Sequence, residues 1–386
     1  MPRSRSAPTI HDVAAAAEVS VSTVSRVLNA KEDVAAATFA RVQGVIEALG
    51  YESSMAARGM RSSSTQVIGL IMPDMDHSYG IEVIKAASRV ITGTAYDLVA
   101  MTCGSKHHAE RGRWQQQRVR RLNGTITDGV IVVVPDVASF DTDYPLVAID
   151  RMVAGATYAS VSSDNQGGAL AVMAYLLGLG HTRIGYVDGL EFLESAAHRR
   201  AGYLAALEAA GLPVDPSLIQ PGDFKRSAGR VAMRHFAALA DPPTAIFACN
   251  DDMALGVMEE AQLLGIKVPE ALSVVGYDNV PEAANARPAL TSVDQGIEPM
   301  VQMAIELLLE LISGRERGGD SARMQEQIKM PSRLVVRDSC MTPAPRPDRQ
   351  MPSRKATAKP VAAQPATAQQ ATAKSIKKGG EAPLHA

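Results

Sequence analysis

Cysteine is scarce in this chain: three residues in 386, Cys103, Cys249 and Cys340, lie far apart. That spacing excludes a disulfide framework or a zinc set and fits reduced thiols. Long apolar runs are missing too. No apolar run comes near the roughly 18 residues that a membrane-spanning helix needs, so no membrane association is expected. The N-terminus is polar and lacks the apolar core of a secretory signal, which places the expected chain in the cytoplasm. The phosphate-binding G-x-x-x-x-G-K, the nucleophile-bearing G-x-S-x-G and the zinc-binding H-E-x-x-H are absent. His107-His108 has no partners at metal-ligand spacing and reads as a solvated helix start. The expectation is therefore a chain with no catalytic residues, no metal and no cofactor.

What is present is enough apolar material for a sizeable core, 46% of residues, and an uneven charge. Residues 1–62 carry seven Lys/Arg against six acids, a balance of +1. Residues 342–386 carry eight against two, or +6, and the whole chain is −2, so the middle is acidic at about −9. The last segment, rich in Ala, Pro, Thr, Gln and Lys, cannot bury enough apolar surface to fold. Its basic residues suit non-specific contact with phosphates, and an inert solubilising tail fits the same composition.

Thr9 to Asn29, TIHDVAAAAEVSVSTVSRVLN, reads as two short helices joined by a tight turn. Thr9 can cap a helix over Asp12–Ala17, Glu18-Val19 breaks it, and Ser20 can cap a second over Val21–Leu28. In that second helix Val24, Val27 and Leu28 share an inward face, leaving Val21, Ser22, Ser25 and Arg26 on or near the outside. Small residues allow close approach to a DNA major groove, hydroxyls bond bases or phosphates, and arginine can bind guanine bidentately. An ordinary helical hairpin inside a larger core has the same local pattern. A third helix is expected over Thr38–Leu49, with Val42, Val45, Ile46 and Leu49 on one stripe and Gly50 as its stop.

The N-terminal pattern resembles that of the lactose-repressor family, close to T-I-x-D-V-A-x-x-A-G-V-S-x-x-T-V-S-R-V-L-N. This chain has Thr9, Ile10, Asp12, Val13, Ala14, Ala17, Val19, Ser20, Thr23, Val24, Ser25, Arg26, Val27, Leu28 and Asn29 in those places. It departs at Glu18, where the family has glycine; a positive φ there would cost about 1 kcal/mol. It departs again at Ala35, which cannot cap the third helix as the family's serine does, at a cost of about 1 kcal/mol. The resemblance implies a dimer on an operator, with Val21, Ser22 and Arg26 reading bases. Thr9, Ser20, Thr23, Ser25 and Asn29 would hold phosphates.

Residues 51–65 alone read as a Ser-rich linker with a turn or two of weak helix. In the family this place holds a hinge helix ending in A-R-S-L, whose leucine wedges into the minor groove. That maps onto Ala57, Arg58, Gly59 and Met60. Arg58 becomes a backbone or groove contact and Met60 the wedge.

From Gln66 onward, short apolar runs alternate with amphipathic stretches. Strands are expected at Val67–Met72, Asp97–Met101, Gly129–Val134, Pro145–Ile149, Ile184–Val187, Ala245–Ala248 and Leu272–Val275. Helices fall between them, at Ile81–Ile91, His108–Leu122, Gln166–Leu179, Arg199–Ala210, Ser227–Leu239 and Met253–Leu264. Continuous apolar strands between helices argue a parallel sheet covered on both faces. About 275 residues exceed what one sheet usually serves, so two lobes with a cleft are expected. The fold class is α/β: a small all-α helix-turn-helix domain ahead of a two-lobed α/β regulatory domain. The domains expected are 1–50 for DNA binding, 51–65 for the hinge, 66–340 for effector binding and dimerisation, and 341–386 for a disordered basic tail.

The resemblance extends to about Cys340, through Thr127-Asp128-Gly129, Asp150-Arg151, Asp164-Asn165, Gly180-His181, Asn250-Asp251 and Val275-Gly-Tyr-Asp278. It implies a fold like the periplasmic sugar-binding proteins, with three crossovers and a small effector in the cleft. Asp150, Arg199, Asn250 and Asp278 lie just beyond predicted strands or at predicted helix starts, where open α/β sheets bind ligands. Carboxylates, a guanidinium and an amide suit a hydroxyl-rich, sugar-like ligand. Phe224 occupies the family position that stacks on the effector, and Tyr79 lies in the first βα loop, where the family's N-P-F-F is replaced. Plainer roles remain for each: Asp278 as a loop cap, Asn250 as a helix cap, Arg199 as partner of a surface acid. The function expected is a DNA-binding transcriptional regulator of the repressor type, acting as a homodimer under a small effector. A sugar-binding receptor or an α/β enzyme with a helical N-terminal domain is the alternative.

Overall fold

The computed structural model describes residues 8–28, 33–51, 64–73, 75, 77–104, 108–150, 155–317 and 321–344. Asn29, the hinge positions Arg58 and Met60, Arg151, His107 and the basic tail from residue 345 lie outside the described residues.

Three N-terminal helices, α1 (Ile10–Ala16), α2 (Val21–Leu28) and α3 (Ala36–Leu49), pack on one another around Val13, Val24, Val27 and Val42. Thr9 caps α1 in a reciprocal box: Thr9 Oγ1 accepts from the Asp12 amide at 3.4 Å, and Asp12 accepts from the Thr9 amide at 2.7 Å. Glu18 takes φ 52°, so the turn adopts the left-handed conformation expected of it without the usual glycine. The third helix starts at Ala36, two residues earlier than its pattern suggests, and Ala35 makes no side-chain cap. Gly50, at φ 60°, ends it. Leu49 does not join the core: it is 39% exposed, while Val45, Ile46 and Tyr51 pack into the three-helix cluster.

The remainder forms two parallel α/β sheets. In the first lobe the order is β11-β5-β4-β3-β1-β2. These strands are β1 (Val67–Met72), β2 (Asp97–Thr102), β3 (Gly129–Val133), β4 (Leu146–Ile149), β5 (Ala159–Ser163) and β11 (Gln327–Met330). In the second the order is β12-β10-β9-β8-β6-β7. It comprises β6 (Ile184–Val187), β7 (Ile219–Gln220), β8 (Ala245–Ala248), β9 (Ser273–Tyr277), β10 (Thr291–Asp294) and β12 (Arg333–Val335). Only β12 runs antiparallel among these pairings. The central strands are fully buried, as expected for sheets with helices on both faces.

Helices α4 (Ser78–Ile91) and α5 (His108–Leu122) belong to the first lobe, and α6 (Asn165–Gly178), α7 (Glu194–Ala209), α8 (Arg226–Ala237), α9 (Asp251–Leu263) and α10 (Pro281–Asn285) to the second. The long α11 (Ile297–Glu316) returns to the first lobe and buries Met300, Val301, Ala304, Ile305 and Leu308 against it. The chain therefore crosses between lobes three times, after β5, after β10 and after β11. β5, β7, β10, β11, β12, α10 and α11 are additions to the elements expected from the sequence. β5 reads ASVSS and β11 QIKM, with too few apolar residues to announce a strand. Among the described residues no helix is long and apolar enough to cross a membrane.

Candidate nucleic-acid interface and interlobe cavity

Helix α2 presents a mixed surface. Ser22 and Arg26 are exposed, Thr23 and Ser25 half-buried, and Val21 is also half-buried, packed partly on the three-helix core. Ser20 caps the helix, its Oγ accepting from the Thr23 amide at 3.1 Å and lying 2.6 Å from Ser22 Oγ and 2.8 Å from Thr23 Oγ1. This cluster of hydroxyls sits at the helix N-terminus, where the partial positive charge favours an anion such as phosphate. Arg26 approaches Asp33 at 3.7 Å with both side chains more than half exposed, a contact a competing anion can displace.

The six residues expected at the effector site all line one cavity between the lobes. Tyr79 and Asp150 come from the first lobe; Arg199, Phe224, Asn250 and Asp278 come from the second. Sequence reasoning did not single out His77, Arg111, Leu190, Leu193, Ser195 and Gln295, which line it as well. Their loops and helices carry no motif, and only the apposition of the lobes brings them in.

Backbone strain concentrates here. Asp150 follows β4 at φ 53°, Asp278 follows β9 at φ 110°, Val134 follows β3 at φ 50°, and Phe224 stands at φ 64°. Non-glycine residues held this way cost about 1–3 kcal/mol each and persist where the surroundings over-determine them, often at ligand sites. Gly189 leaves room for the Phe224 ring, since a Cβ there would lie 2.4 Å from its Cζ.

Arg199 braces the cavity. It lies within the second turn of α7, which begins at Glu194, not at the helix start that its pattern suggests. Its Nε donates to Asn165 Oδ1 at 2.8 Å, and its Nη1 to the Cys249 carbonyl at 2.6 Å and to Asp278 at 3.4 Å. The guanidinium lies 3.7 Å from the centre of the Tyr277 ring. Its acid is thus the buried Asp278 and no surface partner. Burial pulls the pKa of Arg199 down, but its neighbours together, Asp278 foremost, raise it above the ordinary arginine value. Gln295, in the second crossover, donates to Asp278 at 2.7 Å and accepts from Ser163 Oγ at 3.1 Å. One network thereby ties two of the three crossovers to the cavity.

Asn250 does serve as a helix cap, accepting from the Met253 amide at 3.0 Å while its amide donates to the Phe224 carbonyl at 3.1 Å. It holds the Phe224 loop and leaves little capacity for a ligand. Burial raises the pKa of both Asp150 and Asp278, against opposition from Tyr79 and Arg199 respectively. Tyr79 donates to Asp150 Oδ2 at 2.7 Å. Burial, then the Asp150 charge, holds the Tyr79 hydroxyl protonated well beyond its ordinary range. The lobes also meet at Ser78, whose amide and hydroxyl each reach Asp252 of α9 at 3.1 Å. Among the described residues no group of three or more His, Cys, Asp or Glu side chains is placed to hold a metal ion.

Comparison with known proteins matches both regions. Residues 9–54 match the family described as bacterial regulatory proteins, lacI family, and residues 173–340 a periplasmic binding protein-like domain. The HTH-type transcriptional repressor CytR of Escherichia coli (strain K12) is 31% identical over 340 residues, covering 87% of this chain and 97% of that protein. A solved transcriptional regulator CelR–cellobiose complex aligns with TM-score 0.61 and 28% identity over 86% of this chain and 99% of its own. The lac repressor dimer bound to operator and the anti-inducer ONPF aligns with TM-score 0.75 at 24% identity, over 88% and 100%, a likeness of fold.

Proposed function

This chain belongs to the lacI family of bacterial regulatory proteins, and from that premise we propose that α2 reads an operator while the interlobe cavity takes a small effector. Membership makes it a DNA-binding transcriptional regulator of the repressor type, with a helix-turn-helix domain and a periplasmic-binding-protein-like domain. The finer reading is ours. Val21, Ser22 and Arg26 read base edges, and Thr9, Ser20, Thr23 and Ser25 hold phosphates. Asn29, Arg58 and Met60, outside the described residues, are assigned to DNA by resemblance alone. The domains are placed at 1–50, 51–65 and 66–340, with a basic tail beyond. The protein acts in the cytoplasm as a homodimer, because one short helix contacts too few base pairs for genomic specificity.

The observation that carries the effector reading is the convergence of Tyr79, Asp150, Arg199, Phe224 and Asp278, drawn from both lobes, on one cavity. Charged and aromatic groups on opposite walls favour a ligand that bridges them, and a bridging ligand favours the closed arrangement. That is the differential affinity an effector needs to shift a two-state protein. A hydroxyl-bearing compound fits the acceptors, and the related CelR is solved with cellobiose. The relatives matched are repressors, which favours regulation over turnover.

The test is fluorescence anisotropy on promoter DNA, with a thermal-shift screen of sugars, sugar acids and nucleobases to find the ligand. Asp278→Ala should abolish the ligand's effect on DNA affinity while operator binding persists. An unchanged ligand response in that variant would remove the cavity from the argument. Failure of the wild-type protein to prefer any promoter over random competitor would remove the operator reading.

A further inference from the structure

A second cavity lies on the far side of Asp150. Its walls include Ser160 and Ser162 of β5, Glu194 and His198 of α7, and Lys329 of β11. Asp150 and Ser195 are common to this cavity and the first. The two differ in chemistry. The first is mainly apolar, through Met72, Val133, Leu193 and Phe224, whereas the second is walled by hydroxyls and charged groups.

The charges of the second cavity are already engaged. Glu194 faces His198 at 3.8 Å, and Lys329 pairs with Asp164 at 2.7 Å. An ionic ligand would have to compete with these pairs, while a neutral hydroxyl-bearing one need not. At the junction, Asp150 is 8% exposed and its Oδ2 is taken by Tyr79. The Ser163 backbone amide faces this carboxylate, but among the described residues no donor reaches Oδ1 with hydrogen-bond geometry. A buried carboxylate oxygen left so is costly, and a ligand hydroxyl there would relieve it.

We propose that the effector site is bipartite: a flat, weakly polar group occupies the first cavity and a polyhydroxylated group the second. Asp150 Oδ1 accepts a hydroxyl of the second group where the two join. This rests on the interlobe cavity being the effector site and specifies its ligand as a ring attached to a polyol. The ring lies against Phe224 and the aliphatic wall, which suit flat apolar surface. The polyol meets serine hydroxyls, each able to donate and to accept.

Calorimetric titration of the full chain tests this with joined compounds and their separated halves: uridine against uracil and ribose, phenyl β-glucoside against phenol and glucose. At least one joined compound should bind tenfold or more tightly than either half. Ser162→Val and Glu194→Leu, which remove polar groups of β5 and α7 from the second cavity, should erase that advantage and leave binding of the separated ring unchanged. Melting midpoints report whether each variant folds. Equal affinity for ring and joined compound, or equal loss of both in the folded variants, overturns the second subsite and leaves the first cavity standing. If none of the six compounds binds and the broader screen also finds no ligand, the effector reading itself fails.

Discussion

At the scale of single residues, Arg26 and Asp278 show how one charge serves different ends. Arg26 is 58% exposed, and its 3.7 Å approach to Asp33 is a surface pair, worth under about 1 kcal/mol. A bidentate contact to guanine discriminates by about 1–3 kcal/mol, enough to displace Asp33. Arg26→Ala should therefore weaken operator binding by about that amount, leaving salt-sensitive binding to random DNA nearly intact. Dissociation constants on both DNAs at two salt concentrations measure it; equal loss on both would put Arg26 on phosphate. Asp278 is the reverse case, 5% exposed, with Arg199 and Gln295 on its Oδ1. Such a group gains a predictable role only from its surroundings.

Among the elements, the turn between α1 and α2 carries the clearest local strain. Glu18 holds φ 52° with its side chain exposed, so no packing rewards it. Left-handed backbone costs a non-glycine residue about 1–2 kcal/mol, and glycine gives part of this back as unfolded-state entropy. Glu18→Gly should stabilise the three-helix unit by about 0.5–1 kcal/mol. Hydrogen exchange on the full chain would show slower exchange at α1 and α2 amides; faster exchange would mean that Glu18 makes a contact worth more than its strain. The same turn shows what a sequence discloses well. Caps at Thr9 and Ser20, the inward Val24 and Val27, and the glycine stop of α3 are local matters of spacing, and the structure has each where its pattern places it.

For the whole molecule, the second lobe buries carboxylates that it does not fully compensate. Burial pushes Asp251 up to about 7, opposed by the Ser292 hydroxyl at 2.6 Å and the Val280 amide at 2.9 Å. Burial raises Asp278, and Asp150 of the first lobe, in the same direction. A carboxyl whose pKa is higher folded than unfolded favours the fold when protonated. Its contribution is present below the ordinary value of 3.8 and is lost as pH climbs towards about 7. Chemical denaturation should show stability falling from pH 5 to pH 7.5, with a shallower fall in Asp251→Asn. A slope of the opposite sign, or an unchanged slope in the variant, would show that Asp251 titrates near its ordinary value.

Along the chain alone, most of the N-terminal helices and buried strands, the outward chemistry of α2 and the residue types at the strand ends are legible. Each depends on neighbours a few positions away, through helix period, capping and the apolar density of buried strands. Tertiary structure alone decided that α11 and β11 return to the first lobe, where Gln327 pairs with Ser160. It alone made Arg199 the brace between Asn165, the Cys249 carbonyl and Asp278, and set a second, polar chamber behind Asp150. Those contacts join residues tens to more than a hundred positions apart. Periodicity carries no trace of such pairings, because closing long loops is driven by the burial of whole surfaces rather than by any one segment's preference.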